Sequence, residues 1–359
     1  MAGTRSRIVA RCTPRPRRVA TAATAFVDGY LDLLCALRPD EVGPSPCFGY
    51  GRGGIAYTLL KAGLLRGERA FVLAAQRWTA AGLHSGRRFQ LRGWPRASFS
   101  RGLTGLHAIH ALAAHAGDRD AVSRRALRRF VEGARRGRGT LDLFQGMAGR
   151  LAGAAIVLRR IPDPDVRALG DDLATRLVRA LEARVIRIEP CGVAHGWPGV
   201  VLAALTWQAV ARSLPQDALA RAVVDGRAAA LAGDRGWMGW AHGHAGMALL
   251  FARAYTQLGD RRFLAWAREA AAKTRTVPSR GLSIIDGAPG IAYAMLAVAA
   301  ADPEGPWREL AWTNAGEILS YVELPATDPH GVWSGLGGVC CLALDLLHET
   351  DAGFPGVEA

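Results

Sequence analysis

Seven polar side chains recur at one fixed position, directly before a glycine that has a second glycine three residues further on. These side chains belong to Tyr50, Arg101, Gln145, His195, His242, Asp286 and Ser334. Imidazole and carboxylate groups can move a proton near neutral pH, and a guanidinium can stabilise a developing negative charge. If the fold gathers them at one place, they predict a site for acid–base chemistry on a substrate that passes through an anion.

The glycine pairs mark an internal repeat of seven units. Their first members are Gly51, Gly102, Gly146, Gly196, Gly243, Gly287 and Gly335, spaced 51, 44, 50, 47, 44 and 48 residues apart. Each pair opens an almost uncharged run rich in Ala and Leu, which is typical of a helix buried on most sides. The stretches before the pairs are amphipathic and charged, as in residues 121–136. They predict outer helices with one face in water.

Seven inner and seven outer helices predict an all-α toroidal barrel, an (α/α)7 ring in which a glycine pair heads each inner helix. An open solenoid is the alternative, but its end repeats should be polar. Residues 339–347, in the last repeat, are as apolar as the middle repeats, which favours closure. All inner helices would then begin at one end of the barrel, where their partial positive charges favour an anion. Crowding of the backbone at these turns also explains the glycines.

The composition indicates which class of protein the chain belongs to. The 359 residues are 50% hydrophobic and 21% charged, which suits a globular chain with a core. Residues 1–18 are basic and predict a disordered tail, and residues 19–359 predict one barrel domain. The N-terminal stretch has no apolar segment of a secretory signal. Six scattered cysteines without a CxxC pair indicate a reducing compartment. We expect a soluble, cytoplasmic protein with no membrane partner.

The net charge of +14 comes partly from an arginine-rich run at residues 118–139. A solvated helix face explains such a run, and so does docking of an acidic leader peptide or of a partner enzyme. No nucleic-acid reader motif accompanies it, so we expect no nucleic-acid partner.

Two segments resemble motifs of the lanthionine synthetase C-like family. CGVAHGWPG (191–199) resembles the family's fourth-repeat Ala-His-Gly motif, and LDLFQGMAG (141–149) resembles its third-repeat Asp-x-x-x-Gly motif. The resemblance extends over roughly residues 20–350. It implies that His195 acts in acid–base catalysis and that Asp142 contributes to the site. It further implies a cyclase of bacterial lanthipeptide biosynthesis, which adds a Cys thiol to dehydroalanine or dehydrobutyrine to form a lanthionine, labionin or aminovinyl-cysteine ring.

The family's zinc ligands are the main departure from this resemblance. Where the family has Trp-Cys-x-Gly in repeat five, this chain has Ala241 in place of Cys, and in repeat six Ile285 and Asp286 replace Cys-His. We therefore expect no metal and no other cofactor, as in the cyclase domains of class III-type lanthipeptide synthetases, but in a free-standing chain. A nitrogen and oxygen site improvised from His242, His244, Asp286 and His195 is the alternative.

The expected catalytic residues are His195, Asp142, His242, Asp286 and Arg101. The expected substrate-binding residues are Tyr50, Gln145, Trp197, Trp240 and Ser334. The expected partners are a dehydrated precursor peptide with its leader and separate kinase- or lyase-type dehydration proteins.

Two further functions fit the same sequence. One is a catalytically silent barrel that binds leader peptide and assembles the modification enzymes. The other, with less support, is a carbohydrate-active barrel that uses the carboxylates Asp142 and Asp286.

Overall fold

The computed structural model describes residues 17–43, 45–86, 96–137, 140–183, 192–232, 236–274, 281–322, 324, 330–350 and 353–358. Within these ranges the chain forms helices and connecting turns and no β-strand. The fourteen helices of this part of the chain are α1 Arg17–Ala36, α2 Arg52–Arg66, α3 Arg69–Gly86, α4 Leu103–Ala116, α5 Asp120–Arg135, α6 Met147–Leu158, α7 Pro164–Glu182, α8 Trp197–Ala211, α9 Gln216–Ala232, α10 His244–Leu258, α11 Arg261–Lys273, α12 Ala288–Ala301, α13 Trp307–Leu319 and α14 Leu336–Leu347.

The even-numbered helices form a closed inner ring. Each contacts the next in chain order, and α14 contacts α2. The odd-numbered helices pack outside them, and α1 covers the join by packing on both α13 and α14. The predicted all-α barrel with seven inner and seven outer helices is thereby confirmed, and the open solenoid is excluded.

The difference between the rings follows from their side chains. In α12, every residue but Ala300 is nearly or fully buried, because other helices surround an inner helix. The outer helix α5 buries only one stripe, including Leu127 and Phe130, and exposes the arginines between them. The arginine-rich run predicted to lie on an outer helix therefore lies on α5 and its flanks, with residues 138–139 outside the described part.

The second glycine of each pair is required by close approach of the backbone. In all seven repeats, a Cβ at this position would lie 1.8–2.5 Å from the carbonyl oxygen of the residue six positions earlier, as for Gly199 and Val193 at 1.9 Å. The first glycines have extended backbones, with φ of −151° at Gly51 for example. Steric crowding, which the sequence suggested, therefore explains the second glycines, and a left-handed conformation plays no part at the first ones.

Residues 353–358, which we name the C-terminal turn, form a tight reversal. The Val357 N–H donates to the Phe354 carbonyl at 2.9 Å, with Pro355 and Gly356 between them. Gly356 has φ of +94°, the left-handed value that a type II turn requires at its third residue. The Pro-Gly pair therefore fixes the shape of this turn.

The C-terminal turn lies inside the inner ring. It is contacted by Trp240, just before α10, by Thr206 of α8 and by Tyr57 of α2. These contacts come from different sides of the ring, so the turn fills the central channel.

Buried charges hold the end of the turn. The Lys61 Nζ lies 2.8 Å from the Asp345 carboxylate and 3.9 Å from that of Glu358. The Tyr57 hydroxyl donates to Glu358. Burial raises the pKa of Glu358, and the Lys61 ammonium opposes that rise. The turn is thus tied to α2 by an ion pair and a hydrogen bond.

The helix α1 begins at Arg17, so it includes the last two residues of the stretch 1–18 for which a tail was predicted. Residues 1–16 lie outside the described part. The stretch Arg18–Ala36 has the length and apolar character of a membrane span. Its Val27, Tyr30 and Leu34 are nevertheless fully buried, where α1 packs on α13 and α14. We interpret α1 as the outer helix that completes the barrel.

Candidate active site

A belt of backbone hydrogen bonds joins the turns that precede the inner helices. Its members stand two residues before the first glycine of each pair: Gly49, Ser100, Phe144, Ala194, Ala241, Ile285 and Trp333. The Phe144 N–H donates to Ala194 at 3.2 Å, the Ala194 N–H to Ala241 at 3.0 Å, and the Ala241 N–H to Ile285 at 2.9 Å.

The belt continues around the ring until it closes. The Ile284 N–H donates to Trp333 at 3.1 Å, the Trp333 N–H to Gly49 at 2.9 Å, and the Gly49 N–H to Ser100 at 2.9 Å. In the last link, the hydroxyls of Ser98 and Ser100 donate to the carbonyl of Phe144. All seven turns therefore lie at one end of the barrel, and the predicted polar residues, each next to a belt member, form its rim.

His195 and Asp142 form the most defined pair on the rim. The His195 Nδ1 lies 3.4 Å from Asp142 Oδ1, with the histidine side chain 30% exposed and the carboxylate 8% exposed. The same Asp142 oxygen accepts the Gln145 N–H at 2.8 Å. Burial raises the pKa of Asp142, but hydrogen bonds from His195, Thr140 and Gln145 outweigh it and hold the pKa below its usual value. Asp142 is thus an ionised partner that orients the imidazole.

His242 lies beside His195, with ring centroids 6.0 Å apart and planes 20° from parallel. Its Nδ1 is buried and has no hydrogen-bond partner among the described residues. Burial lowers the pKa of His242, the Asp286 carboxylate raises it, and His195 lowers it. The net lowering favours a neutral imidazole at neutral pH, next to a histidine paired with a carboxylate.

Arg101 lies on another part of the rim. Its guanidinium carbon is 5.5 Å from the centre of the Tyr50 ring and 5.7 Å from that of Phe144, which is the range of cation–π contacts. Arg101 belongs to the second repeat and Asp286 to the sixth, on opposite sides of a ring of seven. The two side chains therefore start from distant positions on the rim.

Aromatic rings form a floor beneath the rim. Phe144 stacks on Trp333 with centroids 4.2 Å apart and lies 6.1 Å from Trp240. Trp333 in turn meets Phe48 edge-on at 6.1 Å. Sequence reasoning missed Phe48, Phe144 and Trp333 as site residues. The available signal was an aromatic residue two or three positions before the first glycine of a repeat.

The five predicted substrate-binding residues take different positions. Tyr50 and Gln145 are half-buried at the rim and Ser334 is exposed. Trp240 is 1% exposed and lies in the floor, so it supports the site rather than facing the opening. Trp197 turns away from the rim, because its Nε1–H donates to the Ala222 carbonyl of α9 at 2.9 Å. Its predicted role is therefore corrected to packing between an inner and an outer helix.

Two of the family's three zinc-ligand positions carry hydrocarbon side chains. Ala241 and Ile285 are adjacent members of the belt and have no atom that could bind a metal. Only Asp286 retains a donor at these positions. Among the described residues, no group of three His, Cys, Asp or Glu side chains comes together to hold a metal, and Cys191 lies outside them. The residues present therefore do not fit the zinc site that the resemblance implies.

The inner helix α4 carries two histidines, His107 and His110, outside the seven rim positions. The Nδ1 of His110 is 2.8 Å from the Thr79 hydroxyl of α3. Burial is the main cause that lowers the pKa of His107 to about 4. His110 therefore belongs to a contact between α3 and α4, whereas His107 lines a groove.

A basic groove lies beside the rim. Its volume is ≈ 570 Å³, and its lining includes Arg96, Leu103, His107, Arg129 and Arg136. Leu103 is the first residue of α4, so the groove opens at the rim end of the barrel. The arginine-rich run thereby contributes two cations near the site.

Comparisons with known proteins support one family. A family profile described as "Lanthionine synthetase C-like protein" matches residues 49–359. LanC-like protein GCL1 of Arabidopsis thaliana is 32% identical over 130 residues, which cover 33% of this chain and 30% of that protein. Among solved structures, "Nisin cyclase" matches with a TM-score of 0.67 at 14% identity over 93% of this chain and 95% of that one. At this identity the structural match shows a shared fold.

Proposed function

The chain belongs to the lanthionine synthetase C-like family, and from this we propose that it is a zinc-independent cyclase that forms thioether rings in dehydrated peptides. The observation that carries the proposal is the His195–Asp142 pair, 3.4 Å apart on the closed rim. The motifs that the resemblance assigned to acid–base catalysis thus meet at one place. A neighbouring imidazole and a guanidinium stand on the same rim.

The reaction is addition of a Cys thiol across the C=C bond of dehydroalanine or dehydrobutyrine. His195 takes the thiol proton, and Asp142 stabilises the resulting imidazolium. The thiolate sulfur bonds to the β-carbon, and the electron pair of the C=C bond moves into an enolate. The Arg101 guanidinium stabilises the enolate oxygen. The His195 imidazolium then gives the proton taken from the thiol to the α-carbon, which returns the imidazole to its neutral form and completes the addition with no leaving group.

Thiol activation does not require a metal on energetic grounds. A free Cys has a pKa of about 8.5, so its thiolate costs roughly 2 kcal/mol at pH 7. A nearby base and the N-termini of helices supply stabilisation of this size. Our proposal therefore assigns thiol activation to His195 and the N-termini of the inner helices instead of a metal.

The proposed substrate is a dehydrated precursor peptide with its leader, delivered in the cytoplasm by separate dehydration proteins. The basic groove beside the rim would contact an acidic leader, because the arginines that line it (Arg96, Arg129 and Arg136) outnumber its carboxylate, Glu132, which pairs with Arg129 at 3.1 Å. The ring could be a lanthionine, a labionin or an aminovinyl-cysteine.

A second candidate is a catalytically silent barrel that binds leader peptide and assembles partner enzymes. The hydrocarbon side chains of Ala241 and Ile285 favour it, because loss of metal ligands is also what loss of catalysis would leave behind. Both candidates use the same rim and groove, and they differ in whether thiols are consumed.

The test uses a synthetic peptide that contains one dehydroalanine and one Cys. Free thiol is counted with time, and the ring is detected by mass spectrometry after alkylation, since a cyclised Cys takes no label. The proposal expects thiol loss faster than in buffer, and His195→Ala should slow it by about 100-fold or more. His84→Ala changes an exposed histidine of α3 and serves as the matched control.

Thiol loss no faster than in buffer supports the silent barrel. A second arm adds a chelator, which the zinc-independent proposal expects to leave the rate unchanged. Inactivation by the chelator with recovery on adding Zn²⁺ would overturn the metal-free mechanism while leaving the cyclase intact.

A further inference from the structure

We propose that Phe354 of the C-terminal turn is a positioning residue for His195, acting through the aromatic floor; the proposal deepens the proposed function and rests on it. The residue lies 159 positions after His195 in the chain. Its effect on the rim is carried by three ring contacts.

The contacts form a continuous stack from the turn to the histidine. The Phe354 ring lies 4.0 Å from that of Trp240, at 10° between planes. Trp240 lies 6.1 Å from Phe144 at 24°, and Phe144 meets the His195 ring edge-on at 5.1 Å. The side of His195 that faces the barrel therefore rests on rings whose lowest member is Phe354.

Trp240 depends on this packing for its position. Its side chain is 1% exposed, and its Nε1 makes no hydrogen bond to any described residue. A tryptophan with a polar anchor would keep its place when a neighbour is removed, whereas this indole has no such anchor among the described residues. Loss of the Phe354 ring would leave a cavity directly below it.

Phe354 itself is held firmly enough to act as a support. It is fully buried and meets Tyr293 edge-on at 5.5 Å. The Tyr293 hydroxyl donates to Asp345 at 2.8 Å, and Lys61 pairs with that carboxylate. The stack is thus anchored from below by a buried hydrogen-bonded pair.

A residue that merely fills the core would affect stability without a specific effect on His195. The test therefore compares Phe354→Leu, which removes the ring and keeps much of the volume, with Phe263→Leu. Phe263 is also fully buried, but it lies on the outer helix α11 against Trp266. Both variants are made in the full chain, and Phe354→Met replaces the first variant if that one does not fold.

The first readout is the NMR signal of the His195 Cε1–H, assigned with His195→Gln and recorded without any substrate. The edge contact with Phe144 places this proton in a ring-current field, so the signal should move in the Phe354 variant and stay in place in the Phe263 variant. The second readout is cyclisation of the dehydroalanine peptide. A misplaced base lowers kcat, here by about 10- to 100-fold, and leaves KM nearly unchanged.

An unmoved His195 signal in a folded Phe354 variant overturns the proposal, and so does an equal shift in Phe263→Leu. A normal kcat in Phe354→Leu overturns it as well. If the wild-type protein consumes no thiol, the cyclase function fails, but the NMR comparison still decides whether Phe354 positions His195.

Discussion

The Asp142 carboxylate contacts both a backbone N–H and a histidine of the rim. It accepts the Gln145 N–H at 2.8 Å, which shapes the turn, and it faces His195 at 3.4 Å. The backbone contact and the contact with His195 therefore coexist in one side chain. Because hydrogen bonds hold the pKa of Asp142 below its usual value, its carboxylate is ionised and can stabilise an imidazolium at His195.

The first prediction concerns stability against pH in Asp142→Asn. The pKa of Asp142 is lower in the folded protein, so the unfolded chain binds more protons in acid. Ionised Asp142 therefore stabilises the fold above about pH 4, and this stabilisation is lost as the pH falls through the folded-state pKa. Urea unfolding at several pH values should show a smaller acid-induced loss of unfolding free energy in the variant.

Asp217→Asn removes the same charge from an exposed position on α9 and is the control for this comparison. Curves of unfolding free energy against pH that run parallel for the wild type and Asp142→Asn would contradict the prediction.

A second prediction concerns the coupling of His242 and Asp286. Burial lowers the pKa of His242, and the Asp286 charge partly offsets this. Asp286→Asn should therefore lower the His242 pKa further. An NMR titration of the histidine Cε1–H signals, with His242→Gln for assignment, measures it. A pKa that stays constant or rises would show that Asp286 does not act on this imidazole.

At the scale of residues, the sequence predicted which residues lie on the rim better than it predicted which way their side chains point. The residue before each first glycine lies on the rim because the belt holds its neighbour there. Trp197, the residue after Gly196, could not be assigned in this way, since its indole can turn either to the rim or to α9. The choice depends on the space beside Ala222, which belongs to a helix whose packing the sequence does not specify.

At the scale of elements, the glycine pairs and the belt of hydrogen bonds together arrange the turns that precede the inner helices. The glycines let each turn fold back on the first residues of its inner helix, and this brings the next turn within hydrogen-bond distance. The repeat spacing predicted the helices and the crowding. The belt could not be predicted, because its hydrogen bonds join residues of different repeats, and all but the last link use backbone atoms, which are present whatever the side chain is.

The third prediction is that Gly199→Ala is strongly destabilising. The added Cβ would lie 1.9 Å from the Val193 carbonyl oxygen, so the turn must move. We expect a loss of more than about 3 kcal/mol in the free energy of unfolding. Gly281→Ala is the matched control, since its Cβ would lie 3.5 Å from Gly287 Cα, an ordinary contact. Urea unfolding of both variants measures the difference, and equal stabilities would refute the steric account.

At the scale of the whole molecule, part of the positive charge lies on one side of the opening at the rim. Arg129 and Arg136, near the end of α5, line the basic groove at the rim. Outer helices run in the opposite direction to inner ones, so Arg261, the first residue of α11, lies at the far end. Some of the arginines that give the chain its net charge of +14 therefore lie where we propose that the substrate binds.

The fourth prediction tests whether the basic groove binds an acidic peptide. The double variant Arg129→Glu, Arg136→Glu should weaken binding of a fluorescent acidic peptide several-fold, because two attractive charges become repulsive. Binding by the wild type should fall as salt is added. Arg261→Glu changes the charge at the far end and should bind nearly as the wild type does. Anisotropy titrations that rank the variants by net charge alone would argue against the groove.

Within the described part of the chain, the C-terminal turn fills the channel below the rim. If the protein acts on peptides as we propose, a long peptide would not pass through the barrel, and it would enter and leave on the rim side. A precursor with several rings would then bind once for each ring, and the order of the rings would depend on which dehydrated residue and which Cys reach the rim together.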